Sequence, residues 1–213
     1  MIRVVLVLAL AVLGAPAAPA FAQEPPPKIG PFVLDIHGAV PRFPDEQSVA
    51  ESRGLSIAEL PGSGIGLQLG AHVYLLKIKA VTIGIGAEGM ASRARQSPAE
   101  GVENVRAVTE QFRTFDGQLS LNFGSGKGWS YISAGIGESI WSLVPDGQEP
   151  VFGDEERLKT INYGGGARWF SKRHLAFSFD VRFYAINPGT GSFGFPGSPR
   201  TTLLSIAAGI SVK

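Results

Sequence analysis

INYGGGARWFSKRHLAFSFDVRFYAI, Ile161 to Ile186, reads as two strands joined by a short turn. Strand side chains alternate between two faces with period two. In the second half, Leu175, Phe177, Phe179, Val181 and Phe183 therefore share one face, and Ala176, Ser178, Asp180, Arg182 and Tyr184 share the other. One such strand would also suit a soluble sandwich. The same split recurs in eight segments, with large apolar side chains on one side and Gly, Ser, Asp and Arg on the other. That repetition is the signature of a transmembrane β-barrel, whose apolar residues face lipid and whose polar residues face the lumen.

Working outward from the hairpin, the alternation predicts strands over 32–40, 64–76, 80–93, 109–123, 129–143, 159–170, 175–186 and 201–212. In the fifth, Ile132, Ala134 and Ile136 face out and Tyr131, Ser133 and Gly135 face in, which puts Glu138 on the lipid side. A bulge near Gly137, or emergence of the strand into the interface, would resolve that conflict. The connections add a second pattern. Those at 76–79, 124–128 and 171–174 are short, whereas those at 41–63, 94–108, 144–158 and 187–200 are long, in strict alternation. Outer-membrane barrels sort their loops this way, with short periplasmic turns and longer external loops. Gly124-Ser125-Gly126-Lys127-Gly128 lacks the spacing of a phosphate loop and precedes a strand, so it reads as a turn. Trp129, Trp141 and Trp169 all fall at strand ends, where amphipathic rings favour the headgroup level, and are expected as interface aromatics.

The N-terminal 22 residues have a different character. Arg3, the apolar run Val4–Leu13 and the site Ala20-Phe21-Ala22 form a secretory signal peptide. The expected organisation is a signal peptide at 1–22, a Pro-rich periplasmic leader at 23–30 and one barrel domain at 31–213. The chain has no Cys, which removes disulfides, a lipid-anchor cysteine and thiolate metal sites. A net charge of +1 gives no polybasic field for nucleic acid. After export, a chain without a second spanning-length apolar run can enter a membrane only with strands, closed so that no backbone edge meets lipid.

The lumen of an eight-stranded barrel is only wide enough for side chains to fill. The expected lumenal polar network is Asp35, His72, Glu88, Asp116, Arg168, Asp180 and Arg182, since buried charges persist when paired. Register parity on the hairpin places Arg168 opposite Ala176 or Ser178. It sets Gly164 and Gly166 near Asp180 and Arg182, leaving room for the charged side chains. Asp180→Ala is accordingly expected to destabilise the barrel more than a loop change such as Asp154→Ala.

The segment Tyr163-Gly164-Gly165-Gly166-Ala167-Arg168, followed by Leu175 through Asp180-Val181-Arg182, resembles the small outer-membrane β-barrel family of the OmpA/OmpX type. The overall plan matches over nearly the whole mature chain. The resemblance implies an all-β, eight-stranded antiparallel up-and-down transmembrane β-barrel in a Gram-negative outer membrane. It implies as partners outer-membrane lipid, lipopolysaccharide and the outer-membrane assembly machinery. Family members commonly finish on Phe or Trp as an assembly signal; this chain departs from that pattern with Gly209-Ile210-Ser211-Val212-Lys213.

No catalytic, cofactor or metal site is expected. His37 and His72 face the lumen, His174 sits in a turn, and Asp146, Asp154, Glu155 and Glu156 lack calcium-loop spacing. The expected role is structural or surface-interacting, with a side-chain-filled lumen. The alternatives are a narrow pore or carrier for a small ligand, a lipid-modifying enzyme, and a soluble lipocalin-like barrel with the apolar face inside. Any unknown ligand would meet the long loops. Residues 47–60 form an amphipathic patch suited to a short helix over the barrel mouth, and Phe193 and Phe195 stand out in the last loop.

Overall fold

The computed structural model describes residues 27–97, 105–191, 194 and 196–213. The expected signal peptide, most of the leader, Phe193 and Phe195 lie outside the described residues. Among the described residues there are eight strands: β1 (Phe32–Arg42), β2 (Ile65–Ile78), β3 (Val81–Gln96), β4 (Val108–Ser125), β5 (Gly128–Pro145), β6 (Arg157–Phe170), β7 (Leu175–Ile186) and β8 (Thr201–Val212). Each pairs antiparallel with its sequence neighbours, and β1 closes on β8 from Leu34↔Val212 to Arg42↔Leu204. Closure leaves no backbone edge unpaired, which lipid requires.

The polarity is inside out. Leu69, Ile85, Phe115, Ile136, Phe177 and Ile206 are exposed, while Asp35, Glu88, Asp116, Asp180, Arg168 and Arg182 are buried. An apolar belt of this extent needs lipid around it. The soluble lipocalin-like alternative would place these faces the other way and is overturned. Tyr163 stacks on Phe183 and Trp169 on Phe177 across the β6–β7 pair, on the outer surface. Such cross-strand aromatic contacts reinforce a lipid-facing ladder.

Glu138 does face outward, but β5 keeps unbroken register with both neighbours, so no bulge forms at Gly137. Glu138 instead pairs with Arg157 at 3.3 Å on the exposed surface towards the long-loop end. The irregularity lies elsewhere, in β2 between Tyr74 and Leu76, and it turns both Leu75 and Leu76 outward.

The first long connection does not lie over the mouth; it enters it. Its helix α1 (Gln47–Ser52) and a following 3-10 turn (Ile57–Glu59) bury Val49, Ala50, Leu55 and Leu60. These join Phe112, Trp141, Leu143, Leu158, Ile186 and Leu203 from the strands in one apolar cluster. A second short helix, α2 (Phe152–Glu155), packs beside β5.

Candidate functional site

From the short-turn end to the long-loop end, the lumen is a stack of four layers. The lowest is aromatic. Trp129 stacks on Phe170 at 5.0 Å and meets Tyr74 edge-on at 5.7 Å, with Val33 and Tyr131 buried alongside. The next layer is an ion pair across the barrel. Arg168 on β6 reaches Asp35 on β1 with two hydrogen bonds, Nε to Oδ1 at 2.9 Å and Nη2 to Oδ2 at 2.6 Å. The fork geometry of guanidinium and carboxylate favours this bidentate contact. Ser211 donates to the same carboxylate, and the Tyr131 ring lies 4.0 Å from the guanidinium carbon.

The third layer centres on Arg182. It pairs with Asp180 at 2.9 Å and Glu88 at 2.9 Å, and donates to Asn162 and Ser133. Tyr131 donates to Asp180 at 2.6 Å, and Tyr184 donates to Glu88 at 3.1 Å. Space for Arg182 comes from the opposite strand. Gly164 stands across from Arg182 and Gly166 across from Asp180, and Arg168 stands across from Ser178. A methyl added to Gly166 would lie 2.8 Å from the Tyr131 hydroxyl, so this close approach requires glycine. The fourth layer is the apolar plug already described.

Of the residues predicted to form the network, Asp35 and Arg168 form one pair, and Glu88, Asp180 and Arg182 form a triad. His72 approaches Asp35 at 3.9 Å and contacts Gln118 at 3.1 Å. Asp116 differs. It is fully buried but forms no ion pair among the described residues; it accepts from Thr114 at 2.7 Å. The parity that sent it inward could not say which lumenal level it would occupy. Tyr131, Tyr184, Gln68, Ser133, Asn162 and Ser211 complete the network; the alternation places all of them inward without marking them as members.

The tryptophans need correction. Trp129 and Trp141 point into the barrel at 3 % and 1 % exposure, and only Trp169 presents its ring outward. The parity of β5 already required this, because both share the odd-numbered face of Tyr131 and Ser133. Inside, Trp141 Nε1 donates to Glu110 at 2.7 Å.

Asp154 also differs from its reading as an indifferent loop residue. It is buried, forms an ion pair with Arg53 at 3.1 Å, and accepts from the Leu143 and Val151 amides. Arg53 further donates to the Gly153 carbonyl at 2.7 Å. The burial of Arg53 depresses its pKa, and Asp154 opposes that shift. Nearby, Glu59 is held down at about 2, chiefly by the Arg106 guanidinium at 2.6 Å. These two ion pairs pin the first long loop to the third and second.

One contact has the form of a nucleophile and base: His37 Nε2 lies 2.7 Å from Ser178 Oγ. Among the described residues His37 Nδ1 has no hydrogen-bond partner, so no carboxylate there orients the ring, and both groups are buried inside the stack. A catalytic dyad needs an oriented base and access for substrate; this pair has neither. Among the described residues, no group of three or more His, Cys, Asp or Glu is arranged to hold a metal ion.

No protein family matches the sequence at a significant level, and no curated protein does. Solved structures do match. Neisserial surface protein A (NspA) is similar over 86 % of this chain and 97 % of its own, with a TM-score of 0.55 at 12 % identity. Ail, the attachment invasion locus protein of Yersinia pestis, is similar over 85 % and 95 %, at 0.46 and 11 %. The N-terminal β-barrel domain of Pseudomonas aeruginosa OprF is similar over 85 % and 96 %, at 0.41 and 10 %. The likeness to NspA is one of fold. Closed eight-strand topology, an apolar exterior and a polar lumen define the small outer-membrane β-barrel class, and this chain has that fold.

Proposed function

We propose that this protein is a closed, non-conducting outer-membrane barrel whose network of lumenal ion pairs holds the barrel and whose long-loop end serves surface interaction. The observation that carries the reading is the four-layer filling of the lumen, with Arg168 spanning it to Asp35 and the first loop seated in the mouth. An eight-stranded interior has room for these side chains and little else. The short turns then face the periplasm and the long loops face outward.

The role is non-catalytic. The three histidines stand in β1, β2 and the β6–β7 turn, away from the outer rim where a lipid-modifying centre would work. Outward-facing Arg42, Arg93, Arg113, Arg157 and Lys159 sit above the apolar belt at the long-loop end. That is the depth of the lipopolysaccharide phosphates, which such cations attract.

Refolded protein in planar bilayers tests the closed barrel. We expect no conductance steps above background, and no solute influx in liposome swelling. Stable unitary steps from folded, heat-modifiable protein would overturn the reading in favour of a narrow pore.

A further inference from the structure

Among the described residues outside the lumen, the carboxylates of this barrel avoid the short-turn end. Lys77 lies at the end of β2 and Lys79 in the β2–β3 turn, the β4–β5 turn carries Lys127, and the β6–β7 turn carries Lys172, Arg173 and His174. Lys28 precedes β1 and Lys213 follows β8 at the same end. No Asp or Glu side chain stands in any of these segments among the described residues. The carboxylates outside the strands lie instead in the long loops, as Asp45, Glu46, Glu51, Glu59, Asp146 and Asp154 show. The whole chain is nearly neutral, at +1, so its net charge conceals a one-signed field at the short-turn end.

The cations are also placed at a particular depth. Exposed Leu76, Ile78, Phe123, Trp169 and Phe177 are outward apolar positions near the short-turn ends of β2, β4, β6 and β7. Lys77, Lys79, Lys127, Lys172 and Arg173 follow within a few residues and are exposed. A side chain just beyond the apolar belt lies at the level of lipid phosphates, and Trp169 sits where interfacial rings anchor. At the same end, beneath the lumenal aromatic layer, a cleft of about 640 Å³ is bordered by Lys28, Lys127, Lys172, Arg173 and Lys213, with inward-facing Phe170 above it. The Lys213 ammonium lies over the Phe170 ring at 3.7 Å. None of Lys28, Lys127, Lys172 and Arg173 pairs with a carboxylate among the described residues.

We propose that this cationic ring binds the phosphate headgroups of acidic phospholipids in the periplasmic leaflet. The proposal rests on the orientation given above, short turns inward. One-signed charge directly beyond an outward apolar belt fits a lipid anion better than a soluble one. A soluble anion would use the cations but not the apolar rim.

Spin-labelled phosphatidylglycerol and phosphatidylcholine provide the test, with the barrel reconstituted in vesicles containing equal parts of the two lipids. The wild-type protein is expected to immobilise the acidic probe with several-fold preference, and high salt should remove that preference. The triple variant K127Q/K172Q/R173Q alters exposed turns only, and its folding is verified by heat-modifiable mobility. It should fall close to parity, whereas R93Q/R113Q/R157Q at the other end should keep most of the preference. Equal immobilisation of both probes by the wild type would overturn the proposal. So would a preference lost only in the outer-rim variant. Retention on purified peptidoglycan sacculi without any lipid preference would assign the surface to the cell wall and likewise overturn it. The salt titration uses unaltered protein and decides the question even if the triple variant does not fold. Conductance is read on the same preparations, so a failed lipid preference and an open channel are separate outcomes.

Discussion

Arg168 in the middle of the barrel and Arg53 in its mouth are both guanidiniums with nearly inaccessible side chains, 2 % and 4 % exposed, each facing one aspartate. Their settings differ. Asp35, Ser211, Tyr131 and Arg168 come from four strands, each fixed by ladder hydrogen bonds to its neighbours in a closed sheet. Arg53 and Asp154 come from two loops, and what holds them is the packing of Val49, Ala50, Leu55 and Leu60 into the mouth. Similar ion pairs can thus belong to different cooperative units. The lumenal pair can be lost only when the sheet opens, whereas the mouth pair can be lost when one loop lifts.

The largest effect is expected from Asp35→Ala, which leaves Arg168 buried without a countercharge. Breaking a buried pair from one side costs about 3–5 kcal/mol, read as a shift in the denaturant midpoint of the folded barrel in detergent. The double variant Asp35→Leu with Arg168→Met should recover most of that loss, because an apolar pair of similar size carries no unpaired charge. If single and double variants have equal midpoints, desolvated charge is not what Asp35 compensates.

Asp154→Ala comes next. It removes the partner of Arg53 and the acceptor of the Leu143 and Val151 amides, and should cost about 1.5–3 kcal/mol. Most of that cost should be local: faster hydrogen exchange at Leu143 and faster proteolysis of the first loop, with a smaller movement of the global midpoint than Asp35→Ala produces. Equal global shifts for the two variants would mean that mouth and lumen unfold as one unit, and the contrast between them would fail. Because Asp154 is buried, exposed Glu149 is the appropriate neutral loop control.

Much of this was legible in the chain. The bounds read for the last two strands coincide with β7 and β8, since both alternate without interruption between turn residues. The pairing of Gly164 and Gly166 with Arg182 and Asp180 follows from parity once the turn is short. The bulge in β2 leaves only a faint trace in the chain, where Leu75-Leu76 breaks the alternation. Trp129 and Trp141 are buried for a different reason: the parity of their own strand outweighs the general preference of Trp for interfaces. The mouth was the least legible region. Its apolar residues were visible in 47–60, but whether such a patch lies over a rim or descends into it depends on the space left by Met90, Phe112, Tyr184 and Leu203 on distant strands. The pairing of Arg53 with Asp154 likewise depends on how two loops meet in space, which no local pattern encodes.

The smallest effect separates the mouth from the lumen by pH. Glu59 stands at about 2 when folded, against an ordinary value of 4.5, because Arg106 and the Ser56 amide favour its charged form. A depressed folded pKa means that the unfolded loop binds the proton more readily, so the contribution is fully present above about pH 4.5. It declines as pH falls through the interval from 4.5 to about 2. Arg106 is 44 % exposed, so solvent screens the pair and less than about 1 kcal/mol is expected. Protection of the first loop from proteolysis, measured with an acid-active protease, should weaken across that interval in the wild type and be flatter in Glu59→Gln. At neutral pH the variant's loop should already open more readily, while the barrel's global midpoint stays close to that of the wild type. An undiminished acid dependence in Glu59→Gln would move the titration to another group and leave the Glu59–Arg106 pair without a role in seating the loop.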